Sequence, residues 1–344
     1  MSFTTDALFA AVYAAPNSDP PRAVLADHLL EQGDPRGEFI TLQLAKLRGP
    51  LTHATTRREQ QLLEAHESAW LGPLAHVVLP LTTHWERGFL TSAQARLHGE
   101  TVGDPRWATV VKLRLLAPDH ARPLELTGGT MTSLLELADA TPSCLDVLLK
   151  GRPTRQRALK GFADPGGPHR PPLEHLGCRL ERTLRGTSKK HVDWLLKLAE
   201  LPQLRSLSLD LAPYWNALEI EWLWKSRLAR RLQNLTLGGA PPLDVAGTLV
   251  RARTLSSLHT LTVAHRSAAF HFRRDPNGEL SELHLQLLGA EPIIDRILLQ
   301  PLSALPPDAL TRFELQAPAG ARVRKRGLLR TAALRFPRLR PIEW

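Results

Sequence analysis

The sequence predicts an α/β fold in which a small N-terminal all-helical unit is followed by an irregular leucine-rich-repeat-like solenoid with a parallel sheet on its concave face. Helix-start signals recur at four places in the first part of the chain, and the pattern Leu-x-x-Leu-x-Leu recurs, with substitutions, after residue 100. Of the 344 residues, 43% are hydrophobic, which is enough for a buried core. We predict the domains as residues 1–75 for the helical unit and 76–344 for the solenoid.

The helical unit is predicted from capping residues. The predicted helix starts are Thr4 or Thr5, Asp19, Asp34 and Thr56. Prolines follow two of these caps and fit the first turn of a helix, where the missing N–H is not needed. Thr56 with a glutamate three residues later is the pattern of a capping box. Gly33 is placed to end the second helix, so four consecutive helices are expected.

Residues 19–43 carry a long motif with the sequence DPPRAVLADHLLEQGDPRGEFITLQ. It resembles the bacterial repeat-companion domain, although Leu25 and His28 stand where that family usually has Tyr and Trp. The resemblance extends to Glu59 with Leu62 and Leu63, to Trp70 with Gly72, Pro73 and Leu74, and to Trp85 with Arg87, Gly88 and Phe89. It implies a helical unit that accompanies leucine-rich-type repeats, and it implies no defined activity.

The repeats are predicted from the spacing of apolar residues. The eight patterns begin at Val110, Cys144, Leu173, Leu204, Leu232, Leu258, Leu280 and Leu310. Most of the intervals lie within or near the 20–29 residues of leucine-rich repeats. In each short strand the fourth and sixth positions enter the core while the third and fifth project outward. The asparagine that regular repeats carry beyond the last leucine is missing, so the repeats are expected to be degenerate.

The outward positions of these strands are the predicted functional surface, because a curved solenoid provides an extended concave face for a partner. The predicted partner-binding residues are Lys112, Arg114, His175, Arg179, Asn234, Glu282, His284, Arg312 and Glu314. For each of these residues the alternative is an ordinary solvated sheet surface. Even on a binding face, only a few side chains carry most of the energy.

Charge is distributed unevenly along the chain, whose net formal charge is +10. Residues 1–100 hold eight Lys and Arg against eleven Asp and Glu, so the excess positive charge lies in the repeat half. This half could bind an acidic protein partner, and its alternative function is nucleic-acid binding through phosphate contacts. A third explanation for the same charge is a general compositional bias toward arginine that is unrelated to binding.

Sequence motifs of enzymes are missing. The chain has no phosphate-binding P-loop, no Gly-x-Ser-x-Gly, no His-Glu-x-x-His and no Gly-x-Gly-x-x-Gly. Asp275 with Asn277 and Gly278 predicts a turn and not a calcium loop. Two cysteines, Cys144 and Cys178, are too few for a disulfide framework or a zinc site. We therefore predict a cytoplasmic, non-catalytic protein-interaction or scaffold protein without cofactor, metal or membrane span.

Overall fold

A computed structural model of the chain describes residues 4–96, 101, 103–116, 130–141, 171–180, 198–211, 221–239, 244–265, 268–288, 301–316 and 332–338. The chain divides into two compact units, Met1–Glu174 and His175–Trp344. The predicted α/β class with an N-terminal helical region is confirmed. The strands form one mostly parallel sheet of 11, in which their spatial order follows their order in the chain. The curvature expected of a solenoid stays a prediction.

Four helices open the first unit: α1 (Thr5–Ala14), α2 (Pro20–Glu31), α3 (Pro35–Arg48) and α4 (His53–Leu71). The cap at Asp34 is confirmed, since its carboxylate accepts a hydrogen bond from the backbone N–H of Arg36 at 2.8 Å. The capping box at Thr56 is wrong. The fourth helix begins earlier because the hydroxyl of Thr52 accepts a hydrogen bond from the N–H of Thr55 at 3.3 Å.

The strands of the first unit are β1 (His84–Glu86), β2 (Phe89–Ala95), β3 (Lys112–Leu115) and β4 (Glu136–Ala140), with 3-10 helices at Gly72–His76 and Pro105–Thr109. β1 and β2 form an antiparallel hairpin, and β2, β3 and β4 are parallel. Phe89 of this hairpin lies in one buried cluster with Leu25 and Ile40 of the helices. The helices and the first strands thus share a core, and the boundary predicted at residues 75 and 76 stays a prediction.

Seven strands follow in the second unit: β5 (His175–Leu180), β6 (Ser206–Leu211), β7 (Asn234–Gly239), β8 (Thr260–Ala264), β9 (Ala268–Arg274), β10 (Leu280–Leu287) and β11 (Arg312–Gln316). The intervening helices are α5 (Glu221–Lys225) and α6 (Val245–Arg253), with 3-10 helices at Leu198–Glu200 and Ala229–Arg231. Among the described residues, none of the helices combines the length and apolar character that a membrane span requires.

The apolar pattern of the repeats locates the core correctly in the strands that the structure describes. In β6, for example, Leu207 and Leu209 are buried, and Leu204 is buried in the turn before the strand. The pattern at Cys144, Val147 and Leu149 lies outside the described residues. The repeat pattern did not predict β4. In this strand Asp139 has a left-handed backbone (φ 57°), and the next residue, Ala140, is buried instead of Asp139.

β9 is a departure from the predicted parallel sheet. It runs antiparallel to both β8 and β10, within the shortest interval between two repeats. The predicted turn at Asp275 is confirmed and joins β9 to β10. The Asp275 carboxylate accepts hydrogen bonds from the N–H groups of Asn277 and Glu279, each at 2.9 Å, which closes the hairpin.

Arginine side chains hold neighbouring turns of the second unit together. Their guanidinium groups donate to backbone carbonyls far away in sequence: Arg231 to Leu198 at 3.2 Å, Arg253 to Ala309 at 2.6 Å, Arg274 to Leu255 at 2.8 Å and Arg335 to Ser303 at 3.0 Å. These bonds provide donors for turn carbonyls, the role that the missing asparagine has in regular repeats. Part of the arginine excess therefore has a structural use.

Candidate functional site

The strand positions of β5–β11 that alternate with the core positions lie in three rows across the second unit, and we call them together the outward face. Most of them are polar, while Gly177, Gly238, Ala264 and the buried Ala269 interrupt the second and third rows. The first row is His175, Ser206, Asn234, Thr260, Arg273, Glu282 and Arg312. The second is Gly177, Ser208, Thr236, Thr262, His271, His284 and Glu314. The third is Arg179, Asp210, Gly238, Ala264, Ala269, Gln286 and Gln316. The strand positions between these rows supply the buried core.

Seven of the nine predicted partner-binding residues belong to the outward face: His175, Arg179, Asn234, Glu282, His284, Arg312 and Glu314. The other two, Lys112 and Arg114, lie on β3 of the first unit. Lys112 pairs with Glu136 at 3.3 Å, and Arg114 pairs with Asp139 at 2.6 Å. These pairs are partly exposed and contribute little net stability.

The richest polar contacts of the outward face form a chain across β8–β11, which we call the histidine cluster: Thr262, His271, His284, Glu314 and Gln316. The hydroxyl of Thr262 lies 3.0 Å from Nδ1 of His271. The rings of His271 and His284 are directly opposite on antiparallel strands, with centroids 6.0 Å apart. Nδ1 of His284 lies 3.2 Å from the Glu314 carboxylate, and its Nε2 lies 3.1 Å from Oε1 of Gln316.

The pKa values of Glu314 and His271, at opposite ends of this cluster, are both lowered. This favours a charged carboxylate at one end and a neutral imidazole at the other. The hydrogen bond from His284 lowers the pKa of Glu314, and the charge of Arg312, whose guanidinium is 2.6 Å away, lowers it further. Burial lowers the pKa of His271, and the charges of His284 and Arg273 add to that effect, while a hydrogen bond with Gln286 raises it. Free of any partner, the face therefore favours a charged Glu314 and a neutral His271.

Charges on the rest of the outward face are nearly matched. Arg179 lies 3.6 Å from Asp210, and Arg273 is the direct cross-strand neighbour of Glu282. In the middle of the face, Thr260 donates to the side-chain oxygen of Asn234 at 2.6 Å. The excess positive charge of the repeat half therefore does not lie on these strands, where several side chains are held in place by their neighbours.

The sequence reasoning missed His271 and Arg273 because it did not predict β9. The signal was present: Phe270 and Phe272 alternate with His271 immediately before the turn at Asp275, which is the pattern of a hairpin. The repeat spacing concealed it, because a strand inserted between two repeats does not carry the leucine pattern.

Within the described part of the chain, no group of three or more His, Cys, Asp or Glu side chains is arranged to hold a metal ion. No protein-family model, curated protein or solved structure matches the chain. The fold accordingly defines a coarse class, a mixed α/β protein with a large and mostly parallel sheet. Membership of the repeat-companion family stays a prediction.

Proposed function

We propose that this chain is a non-catalytic protein-interaction or scaffold protein of the bacterial cytoplasm, and that the outward face binds a partner protein. The observation that carries the proposal is an array of polar side chains over seven strands, continuous in the first row and interrupted by glycine or alanine in the other two. Several of these side chains are bonded across strands. Binding to such a surface costs less side-chain entropy than binding to freely moving side chains.

The composition of the face favours a protein partner. The matched ion pairs supply both donors and acceptors, and each central serine or threonine hydroxyl can donate or accept a hydrogen bond. Such groups are found in polar interfaces between proteins. An extended sheet of parallel strands also supplies the area that a protein partner needs. We expect a few side chains of the outward face to supply most of the binding energy, while the side chains around them exclude water.

The alternative, nucleic-acid binding by the basic repeat half, has weaker support. A surface that follows a phosphate backbone needs several free Lys or Arg side chains on one face. The guanidinium groups of Arg231, Arg253 and Arg274 donate to backbone carbonyls instead. Among the described residues, Arg227 and Arg230 are exposed on one turn and are candidates for phosphate contacts.

A steric block of the outward face tests the proposal. Ser208→Arg and Thr236→Arg place bulky side chains at adjacent positions in the middle row. Ser256→Arg is the matched control, because Ser256 is exposed in the same unit but lies on a turn outside the face. Proteins retained from the native host are identified with the unaltered chain, purified, and their affinities measured for all three variants.

We expect each block to weaken the affinity of the retained partner by about tenfold, the result of losing more than about 1.4 kcal/mol at a dominant contact. Ser256→Arg should leave the affinity unchanged. Equal affinities for the blocked variants and the unaltered chain would show that the partner binds elsewhere. Steep loss of binding to DNA or RNA with added salt would instead support the alternative.

A further inference from the structure

The histidine cluster lies on the outward face, so any regulation of binding by this cluster rests on the proposed function. We infer that the histidine cluster makes the outward face responsive to protons, so that it binds an acidic protein segment more tightly once His271 and His284 are protonated. The cluster combines two imidazoles on neighbouring strands with a single carboxylate beside one of them.

His284 lies between two hydrogen-bond acceptors. Both of its ring nitrogens face oxygen atoms, one of the Glu314 carboxylate and one of the Gln316 amide. A neutral imidazole has a single N–H and can donate to only one of them, whereas the imidazolium donates to both. A protonated His284 would therefore have an acceptor for each N–H, and Glu314 would supply the opposite charge.

Charged side chains face the two histidines from the neighbouring strands. β9 contributes Arg273, β10 contributes Glu282, and β11 contributes Arg312 and Glu314, while β8 contributes uncharged threonines at these rows. Two arginines are matched by two glutamates. The two histidines consequently decide whether this end of the face is neutral or positive.

Protonation of the two histidines is coupled to binding of an acidic partner. Two imidazolium rings with centroids 6.0 Å apart repel each other, and Arg273 adds to the repulsion, so the free face resists the second proton. A carboxylate from a partner placed over the rings would offset this repulsion. Because the coupling between proton and partner is reciprocal, acidic segments should bind more tightly as the pH falls. On the rest of the outward face the charges are already matched, so an acidic segment would not bind there comparably more tightly as the pH falls.

The experiment uses the full chain and a fluorescent oligoglutamate peptide as the probe. Anisotropy titrations at low salt compare about pH 5.5 with about pH 8, between which histidine titrates while glutamate stays ionised. The variants are the double change His271→Gln with His284→Gln, and the control His76→Gln, an exposed histidine of the first unit. Thermal unfolding of each variant verifies that it is folded.

We expect the peptide to bind about three- to tenfold more tightly at the lower pH, as two partly exposed ion pairs allow. The double variant should lose this pH dependence, and His76→Gln should keep it. A lysine peptide should show the opposite trend. The NMR titration of His271 should also shift to a higher pKa in His284→Gln, because one repelling charge is removed.

Two results would overturn the inference. One is an oligoglutamate peptide that does not bind at the lower pH, and the other is a double variant that keeps the full pH dependence. Either result leaves the proposed function intact, since that proposal depends on the native partner and the steric block of Ser208 and Thr236. Failure of the steric block, in turn, would not alter the titration of the histidines.

Discussion

At the residue scale, contacts with aromatic rings explain why charged side chains can lie in the core of the first unit. Arg22 and Arg36 are buried, and their guanidinium carbons lie 5.2 Å and 5.0 Å from the centre of the Phe89 ring. Arg36 also stacks on Phe9 at 4.8 Å. Burial lowers the pKa of Arg22 to about 10, and the nearby charge of Arg87 contributes to that shift. Aromatic faces thus surround charges that would otherwise be expensive to bury.

Gln43 is the third polar residue that the motif places in the core. Its amide nitrogen donates to the carbonyl of Trp85 at 3.1 Å, and its amide oxygen accepts from the N–H of Gly88 at 2.6 Å. These two bonds join α3 to β1 and to the turn between β1 and β2. Gly88 has φ 83°, and a Cβ there would lie 2.2 Å from Ile40, so the turn requires glycine.

We predict that Gln43→Ala lowers the free energy of unfolding by about 2–3 kcal/mol, because it leaves a buried N–H and a buried carbonyl without partners. Urea unfolding at constant temperature measures the change. Gln60→Ala is the control, because Gln60 is exposed on α4 and its amide donates to the side chain of Glu64 on the same helix. A loss for Gln43→Ala no larger than that of the control would contradict this account.

At the element scale, α2 and α3 pack unusually closely. A Cβ at Gly37 would lie 2.7 Å from the backbone nitrogen of Leu30 and 2.8 Å from the carbonyl oxygen of Ala26. Both contacts involve backbone atoms, which cannot move aside as a flexible side chain can. The close packing of the two helices, and not a turn, is therefore the reason for glycine at this position.

Gly37→Ala should accordingly destabilise the chain by about 2–4 kcal/mol, since the helices must separate to admit the methyl group. The control is Gly49→Ala at the end of α3, where no atom lies within 4 Å of the added Cβ. Thermal unfolding followed by circular dichroism distinguishes the two. If both variants unfold at the same temperature as the unaltered chain, α2 and α3 are not in such close contact.

At the scale of the whole molecule, the repeats of the second unit are connected by long side chains as well as by the sheet. Arg253 ends α6 and donates to the carbonyls of Leu280 at 3.3 Å and Ala309 at 2.6 Å. It therefore connects three successive repeats. The separate units of a repeat protein are stable only through their neighbours, so bonds of this kind contribute to the cooperativity of unfolding.

We expect Arg253→Met to lower the free energy of unfolding by about 1–3 kcal/mol, as two carbonyls lose their charged donor. Arg251→Met on the same helix is the matched control, since its partner is the partly exposed Glu221 and such pairs contribute at most about 1 kcal/mol. Denaturant titration also reports cooperativity, and a lower slope for Arg253→Met would show that repeats unfold separately. Identical curves for both variants would argue against the connecting role.

The periodic parts of this molecule were accessible from the sequence by itself. Capping residues and glycines located the first three helices and the presence of a fourth, although its start at Thr52 was missed. The leucine spacing located the buried positions of most strands that the structure describes, since both signals arise from contacts within a few residues or from repetition. The same alternation placed His284 and Glu314 on the outward side of their strands.

The tertiary structure decided what depends on neighbours far apart in the chain. It inserted β9 antiparallel between two repeats, and thereby brought His271 opposite His284. It also directed Gln43 to the hairpin turn and Arg253 to the carbonyls of two later repeats. The alternation of Phe270 and Phe272 indicates a strand at β9 but not which strands it pairs with. Side-chain bonds over long separations depend on the folded geometry of the whole sheet and leave no periodic signal in the sequence.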